Sequence, residues 1–220
     1  MSELNFKRRA SASGADSNVV LFLHGYGADG ADLLGLADPL APHLPDTVFI
    51  AVDSPERSMA NPMGFQWFPI PWIDGSSEVA AAEGLRRSAK VLDGFIDKVL
   101  ADEGLQPQHL ILFGFSQGTM MSLHVAPRRA EPVAGIVGFS GRLMFPDALA
   151  SEAISKPPVL LIHGSSDDVV PFAEMKIAAE ALQDADFDVY GHVMDGTAHG
   201  IAPDGLGVAL TFIRNRFGIE

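Results

Sequence analysis

A serine between two glycines, in Gly114-Phe115-Ser116-Gln117-Gly118, is the clearest chemical signal in this chain. It follows an apolar run that predicts a strand and opens a segment that predicts a helix. So tight a turn leaves no room for flanking side chains, and it strains the serine backbone so that the hydroxyl is exposed beside the free N–H groups of the helix. The pattern predicts a nucleophile. The alternative is a glycine-rich turn whose serine only caps the helix.

A serine hydroxyl needs a base to take its proton, and two later loops offer such a base and an acid to orient it. Where this strand–turn–helix motif carries a catalytic serine, the acid and then the histidine follow it along the chain. Asp167 and Asp168 come after an apolar run, and His199 lies in a glycine-flanked loop before the last predicted helix. The pattern favours His199 as the base, whereas the chemistry of the two acids does not separate them.

Six other histidines compete with His199 for the role of base: His24, His43, His109, His124, His163 and His192. His109 precedes the strand before Ser116 and His124 lies inside the following helix, so neither is expected at the end of a strand. His24 and His163 do end predicted strands, and either can act as a buried hydrogen-bonding residue. His192 is the remaining rival that follows the acids in the chain, and it lies within or beside a strand.

The elements that position these residues alternate between short apolar runs and longer amphipathic stretches. Strands without polar alternation, typical of parallel strands covered on both faces, are predicted at 19–23, 47–52, 110–113, 133–139 and 159–162, with a weaker edge strand at 187–194. Helices are predicted around 85–99, 117–126, 171–183 and 205–217. This order favours an α/β fold with a mostly parallel sheet and helices on both faces, in which ligands bind where the strands end.

Length and composition restrict the remaining possibilities. A chain of 220 residues, 47% hydrophobic, suits one domain over 1–220 with a substantial core. Its formal charge of −13 disfavours nucleic acid as a partner. The absence of cysteine excludes a thiol nucleophile and disulfides. Since no apolar run is long enough to span a membrane and no secretory signal is recognisable, we expect a cytoplasmic monomer or homodimer.

Five segments together resemble the bacterial phospholipase/carboxylesterase family, which includes the acyl-protein thioesterases. They are LFLHGYGADG, GFQWFPIPW, GFSQGTMMSLH, HGSSDDVVP and GTAHGI. The resemblance implies an α/β-hydrolase fold without a large cap domain. In the family's acid loop, G-x-x-D-x-V-V-P, the aspartate comes three positions after the glycine. Counting from Gly164, the resemblance assigns the acid to Asp167, leaves Asp168 at the variable position, and maps the family histidine onto His199.

The resemblance also implies how the oxyanion is held, and the composition of one segment indicates how the substrate is contacted. The backbone N–H groups of Tyr26 and Gln117 are expected to bind the oxyanion. The aromatic stretch 59–72 is expected to fold over the cleft as an apolar wall, and the alternative is that its aromatic residues belong mainly to the core. The residues expected to contact substrate are Phe65, Trp67, Phe68, Leu143 and Val170.

The expected reaction is hydrolysis of short- to medium-chain carboxylic esters through an acyl-enzyme on Ser116, without a metal or organic cofactor. A thioesterase or lysophospholipase with the same triad is the alternative. The stretch FSGRL at 139–143, where the resemblance leads us to expect a tryptophan in the thioesterases, weakens the case for lipidated protein substrates. A non-catalytic receptor on the same fold is disfavoured, because all three triad residues are present.

A second pattern, the G-x-G-x-x-G from Gly25 to Gly30, matches a dinucleotide-binding fingerprint, with Asp53 at the end of the next strand. Pro39 follows too soon for the long helix that should receive a pyrophosphate. A dinucleotide would also leave the serine, acid and histidine motifs unexplained. We therefore do not expect one.

Overall fold

The computed structural model describes residues 4–219. The strands in this range are β1 (Phe6–Arg9), β2 (Asn18–Leu23), β3 (Thr47–Val52), β4 (Glu56–Arg57), β5 (Phe65–Gln66), β6 (Leu110–Phe115), β7 (Gly135–Phe139), β8 (Val159–Gly164) and β9 (Val189–Met194). Seven of them form the main sheet, in the order β1-β3-β2-β6-β7-β8-β9, and β4 pairs with β5 in a separate ribbon. The six predicted strands are all present, and 187–194 lies at the sheet edge as predicted.

The main sheet is parallel except at one end, where β1 pairs antiparallel with β3. The sequence does not predict β1, because its four residues FKRR are charged or exposed and show no buried run. Such charged, exposed residues are typical of an edge strand that must not pair with other molecules. The residues 1–3 that precede it lie outside the described range.

Helices cover both faces of the sheet. They are α1 (Gly30–Leu34), α2 (Ala37–Leu40), α3 (Pro71–Asp74), α4 (Glu78–Glu103), α5 (Gln117–Val125), α6 (Pro146–Glu152), α7 (Ala173–Asp184) and α8 (Pro203–Phe217). The four predicted helices correspond to α4, α5, α7 and α8. The ends of α5, α7 and α8 differ from the prediction by at most two residues, whereas α4 starts seven residues earlier and ends four residues later. Across residues 4–219, none of the helices combines the length and apolar character that crossing a bilayer requires.

Alternate residues of each central strand enter two separate cores. In β2, Val19, Leu21 and Leu23 belong to the core that also contains residues of α4, α5 and α7, whereas Val20 and Phe22 belong to the core that contains residues of α1, α2 and α8. Both sets are fully buried, which explains why these strands lack polar alternation in the sequence. The sheet is therefore held rigidly from both faces, and the loops at the carboxyl ends of its strands have fixed starting points.

His124 is an ionisable residue that α5 carries into the interior. Its side chain is 9% exposed, and its Nδ1 has no hydrogen-bond partner within the described part of the chain. Burial, followed by the positive charge of Arg128, lowers the pKa of His124 from its ordinary 6.5 to about 4. The folded protein therefore keeps this imidazole neutral at pH values where the unfolded chain protonates it.

This pKa difference predicts a pH-dependent stability. Between pH 6.5 and about 4, the unfolded state binds a proton at His124 that the folded state does not bind. The unfolding free energy is therefore highest above pH 6.5, as far as His124 determines it, and decreases as the pH falls to about 4. In His124→Gln the unfolding free energy should fall less steeply over the same window. The difference from the wild type should reach at most about 3 kcal/mol. Urea unfolding at a series of pH values measures the slope. The exposed His43→Gln is the control, and an unchanged slope in His124→Gln contradicts the prediction.

Candidate active site

Ser116 is the single residue between β6 and α5, and its backbone is strained. Its φ of 52° and ψ of −112° lie in a region that residues with a Cβ avoid. The surrounding backbone holds this conformation, because the Ser116 N–H donates to Phe139 O at 2.8 Å and Ser116 O accepts from Met120 N at 3.2 Å. The strained turn that the sequence motif predicts is therefore present.

The glycines on either side of Ser116 are required by the packing of α5 against the sheet. A Cβ added to Gly114 would lie 2.4 Å from Thr119 N, and one added to Gly118 would lie 1.8 Å from Leu23 O. Neither backbone atom can move away without displacing its element. The steric reason given for the motif is confirmed at both positions.

Asp167 and His199 meet across the ends of β8 and β9. His199 Nδ1 lies 2.8 Å from Asp167 Oδ2, and Asp167 Oδ1 accepts the N–H groups of Val169 at 3.0 Å and Val170 at 2.9 Å. Burial acts to raise the pKa of Asp167, but the hydrogen bonds from His199 and the two amides outweigh it and lower that pKa. Asp168 is exposed, so the geometry favours Asp167 as the partner of the histidine.

Gly164 permits this meeting. A Cβ at Gly164 would lie 2.2 Å from Thr197 O and 2.6 Å from Ala198 O. The loop 195–202 between β9 and α8, the histidine loop, therefore passes directly over the end of β8. The Ser166 N–H donates to Thr197 O at 3.0 Å and fixes the same approach. The position of His199 therefore depends on backbone contact between two loops.

The imidazole of His199 also lies next to the serine turn. Its ring packs against Phe115, the residue before Ser116, with the ring centroids 4.9 Å apart. The rival His192 instead pairs with Asp204, with Nε2 2.8 Å from Oδ2, on the edge strand β9. The structure thus brings His199 both to Asp167 and to the immediate neighbour of Ser116.

The loop after β2 supplies backbone N–H groups beside the serine. A Cβ built on Gly25 would lie 3.3 Å from Ser116 Cβ, which places this loop against the nucleophile turn. Within residues 4–219, no protein acceptor is hydrogen-bonded to the backbone N–H of Tyr26 or of Gln117. Two N–H donors close to Ser116 therefore remain available for a ligand.

The side chain of Gln117 has a role that the sequence does not indicate. Its Oε1 accepts from Trp67 N at 2.8 Å, and its Nε2 donates to Phe68 O at 2.7 Å. These two bonds join the start of α5 to the aromatic stretch about fifty residues earlier. Nothing in the local sequence points to such a contact, because it pairs a motif residue with backbone atoms of a distant segment.

Trp67 and Phe68 are turned into the core. They are 0% and 1% exposed, and the Trp67 indole donates to His24 O at 3.1 Å. The expectation that these two side chains contact a substrate is not met in this structure, because they offer no accessible surface. The alternative, that the aromatic residues belong to the core, applies to both.

The other three residues expected to contact substrate differ in accessibility. Phe65 is half-buried, and the guanidinium of Arg57 lies 4.2 Å from its ring centre. Leu143 and Val170 are each 3% exposed. The backbone of Phe65 is bonded to the loop after β2, with its N–H donating to Ala28 O at 2.8 Å. Of the three, Phe65 keeps the largest surface available to a ligand.

The glycine pattern at 25–30 begins a helix whose N-terminus is already occupied. The Asp29 side chain accepts from Ala31 N at 2.7 Å, and Asp53 Oδ1 accepts from Gly30 N at 2.9 Å. In a dinucleotide site these N–H groups would face the pyrophosphate. Two carboxylates in that place exclude such a role for α1 in this conformation.

A mostly parallel sheet, a strained serine between strand and helix, and an acid–histidine pair on the following strand loops define a hydrolase of the α/β-hydrolase fold. The sequence pattern of the phospholipase/carboxylesterase family matches residues 7–216. The chain belongs to this family.

Known relatives agree with this assignment. The chain is 41% identical to esterase PE8, whose crystal structure superposes with a TM-score of 0.93 over 97% of this chain and 99% of that one. It is 27% identical to acyl-protein thioesterase 1 of Gibberella zeae over 93% of each chain. It is 29% identical to esterase YpfH of Escherichia coli over 89% of this chain and 82% of that protein. The chain is accordingly a carboxylic ester hydrolase.

The backbone contact at Gly164 predicts a large effect of a single methyl group. Gly164→Ala should lower kcat/KM for p-nitrophenyl acetate about 10- to 100-fold, because its Cβ displaces the loop that carries His199. Gly200→Ala is the matched control, since a Cβ there meets nothing within 4 Å and its φ is not positive. Circular dichroism checks that both variants fold. Equal activity of the two variants contradicts the proposed loop geometry.

Proposed function

We propose that this protein is a serine carboxylesterase that hydrolyses short- to medium-chain carboxylic esters, with Ser116, Asp167 and His199 as its catalytic triad. The 2.8 Å bond between Asp167 and His199 carries the proposal. Because Asp167 Oδ2 accepts from Nδ1, the proton of neutral His199 lies on Nδ1 and leaves Nε2 as a bare base. Its ring lies beside the serine turn, where such a base is needed.

The reaction proceeds in two halves. Ser116 Oγ attacks the ester carbonyl while His199 Nε2 takes its proton, and the same imidazolium then protonates the leaving alcohol. Water, activated by His199, next attacks the acyl-enzyme and releases the acid and Ser116. In both halves the carboxylate of Asp167 orients the ring and stabilises its positive charge.

The oxyanion formed in each half is proposed to accept hydrogen bonds from the N–H groups of Tyr26 and Gln117. Neither N–H has a protein acceptor among residues 4–219, and this supports the role. Gln117 is the first residue of α5, so its N–H lies at the positive end of the helix dipole. The Gln117 side chain, bonded to backbone at Trp67 and Phe68, fixes the residue before substrate arrives.

The preference for short acyl chains is supported by the packing of the aromatic stretch. With Trp67 and Phe68 buried and Leu143 and Val170 each 3% exposed, the proposed apolar wall is reduced mainly to the half-buried Phe65. A small wall favours a small acyl group, because little apolar area can be removed from water. The ligand is proposed to be a small-molecule ester, and none of the steps above requires a cofactor.

Thioester or lysophospholipid hydrolysis by the same triad is the second candidate, supported by the relatives named acyl-protein thioesterases. The residue Arg142 argues against long lipid chains. It lies in FSGRL, is half-exposed, and places its guanidinium 5.4 Å from the ring centre of Trp72. Its Nε also lies 3.4 Å from Glu174 Oε2, and such an ion pair is costly to desolvate against an aliphatic chain.

The remaining parts of the proposal concern the setting. The sheet draws strands from residue 6 to residue 194, which supports a single domain over 1–220. The absence of cysteine fits a reducing cytoplasm. The acidic chain, with a charge of −13, argues against nucleic acid as a partner. The protein is proposed to act as a monomer or homodimer.

Removing the nucleophile tests the mechanism. Ser116→Ala should reduce hydrolysis of p-nitrophenyl butyrate to the level of the buffer blank, since no acyl-enzyme can form. Ser151→Ala, an exposed position in α6, is the control and should keep wild-type activity. Retained turnover in Ser116→Ala would show that another group carries the reaction.

A substrate panel tests the chain-length preference. Across p-nitrophenyl esters from acetate to palmitate, kcat/KM should peak at two to about eight carbons and decline beyond, because the wall offers little further apolar contact. Butyryl esters with matched oxygen and sulfur leaving groups belong in the same panel. A maximum at palmitate, or a strong preference for the sulfur ester, would replace the main proposal with the second candidate.

A further inference from the structure

A second imidazole, which the triad does not include, lies against the carboxylate of Asp167. Besides His199 and the amides of Val169 and Val170, the Nε2 atom of His163 lies 3.2 Å from Asp167 Oδ2. The same Nε2 is hydrogen-bonded to Val170 O at 2.9 Å. Two imidazoles therefore lie close to one carboxylate oxygen, one from the histidine loop and one from the sheet.

The chemistry of the neighbouring groups fixes the direction of the hydrogen bond between His163 and Val170. A carboxylate oxygen and a backbone carbonyl are both acceptors, so Nε2 of His163 must carry a hydrogen and donate it. This holds whether the ring is neutral or charged. The N–H is hydrogen-bonded to Val170 O, and Asp167 Oδ2 lies beside that bond, 3.2 Å from Nε2.

His163 is held more firmly than the two loops that it connects. It is 2% exposed, and its ring packs edge-on against Phe172 with the centroids 6.0 Å apart. It lies inside β8, in register with Val193 of β9. The donor is thus anchored to the main sheet, whereas Asp167 and His199 lie on loops.

We propose that His163 is a positioning residue for the catalytic acid: its Nε2–H holds Val170 O, which fixes the loop that carries Asp167 relative to the sheet, and so orients the oxygen that holds His199. This inference rests on the proposed function. Asp167 Oδ1 accepts the two amides of that loop. The charge of Oδ2 is divided between the hydrogen bond to His199 and the nearby N–H dipole of His163.

Dividing that charge has a measurable consequence. Without His163, Oδ2 would interact with His199 alone, the imidazolium would be stabilised more strongly, and the acidic limb of kcat/KM would move to higher pH. The surrounding loops and helices carry further charged groups that remain unchanged. They are Asp168, Glu174, Asp195, and the pair formed by His192 and Asp204.

Two variants of equal length isolate the donor. In His163→Gln the amide nitrogen replaces Nε2, whereas His163→Met has the same length without an N–H. For p-nitrophenyl butyrate, we expect His163→Met to lose about tenfold in kcat with little change in KM. Its acidic limb should move to higher pH by about half a pH unit. His163→Gln should restore most of both quantities.

The outcomes separate positioning from packing. Wild-type kcat and an unshifted acidic limb in folded His163→Met overturn the inference, as does an equal loss in both variants. Should His163→Met not fold, ¹⁵N-histidine NMR of the wild-type protein decides, because His163 Nε2 must be protonated while His199 is neutral, and a bare Nε2 overturns the inference. A wild-type protein inactive on every ester would instead overturn the proposed function, and the NMR measurement would still stand.

Discussion

The buried carboxylate of Asp167 constrains the whole carboxyl edge of the sheet. An ion removed from water costs several kcal/mol unless it is fully hydrogen-bonded. Asp167 meets that requirement with two backbone amides on one oxygen and His199 on the other, and His163 Nε2 lies 3.2 Å from that second oxygen. Because these groups come from β8, its loop and the histidine loop, all three must keep one relative position. The close backbone approach over Gly164 follows from the same demand.

The serine side of the site depends on a second set of fixed contacts. The strained backbone of Ser116 is held by Phe139 O, and the glycines beside it allow α5 to touch β2. The Gln117 side chain joins this turn to the aromatic stretch. The rigid sheet and the two hydrogen bonds of the Gln117 side chain thus hold the strained backbone of Ser116 in place. A strained functional residue usually persists only where its surroundings hold it in this way.

The Gln117 side chain also determines which side chains of the aromatic stretch 59–72 can contact a ligand. By bonding the backbone at 67–68, it turns Trp67 and Phe68 into the core with α4 and α5. Their apolar area then stabilises the fold and is not available to a ligand. The accessible part of the site is left with Phe65, whose ring is covered on one side by Arg57. A site of this kind discriminates mainly by size.

The sequence by itself determined the central strands, the long helices and the serine turn, since each has a local signal: an unbroken apolar run, a helical stripe, or glycines forced by sterics. The resemblance added the choice of Asp167 over Asp168. Only the tertiary structure decided that His163 and His199 both lie against one carboxylate, that Gln117 holds the aromatic stretch, and that Trp67 and Phe68 are core. These features join residues distant in the chain, and β1 is stabilised by pairing with β3. Long-range contacts leave no periodicity in the sequence, because their partners are set by packing of the completed sheet.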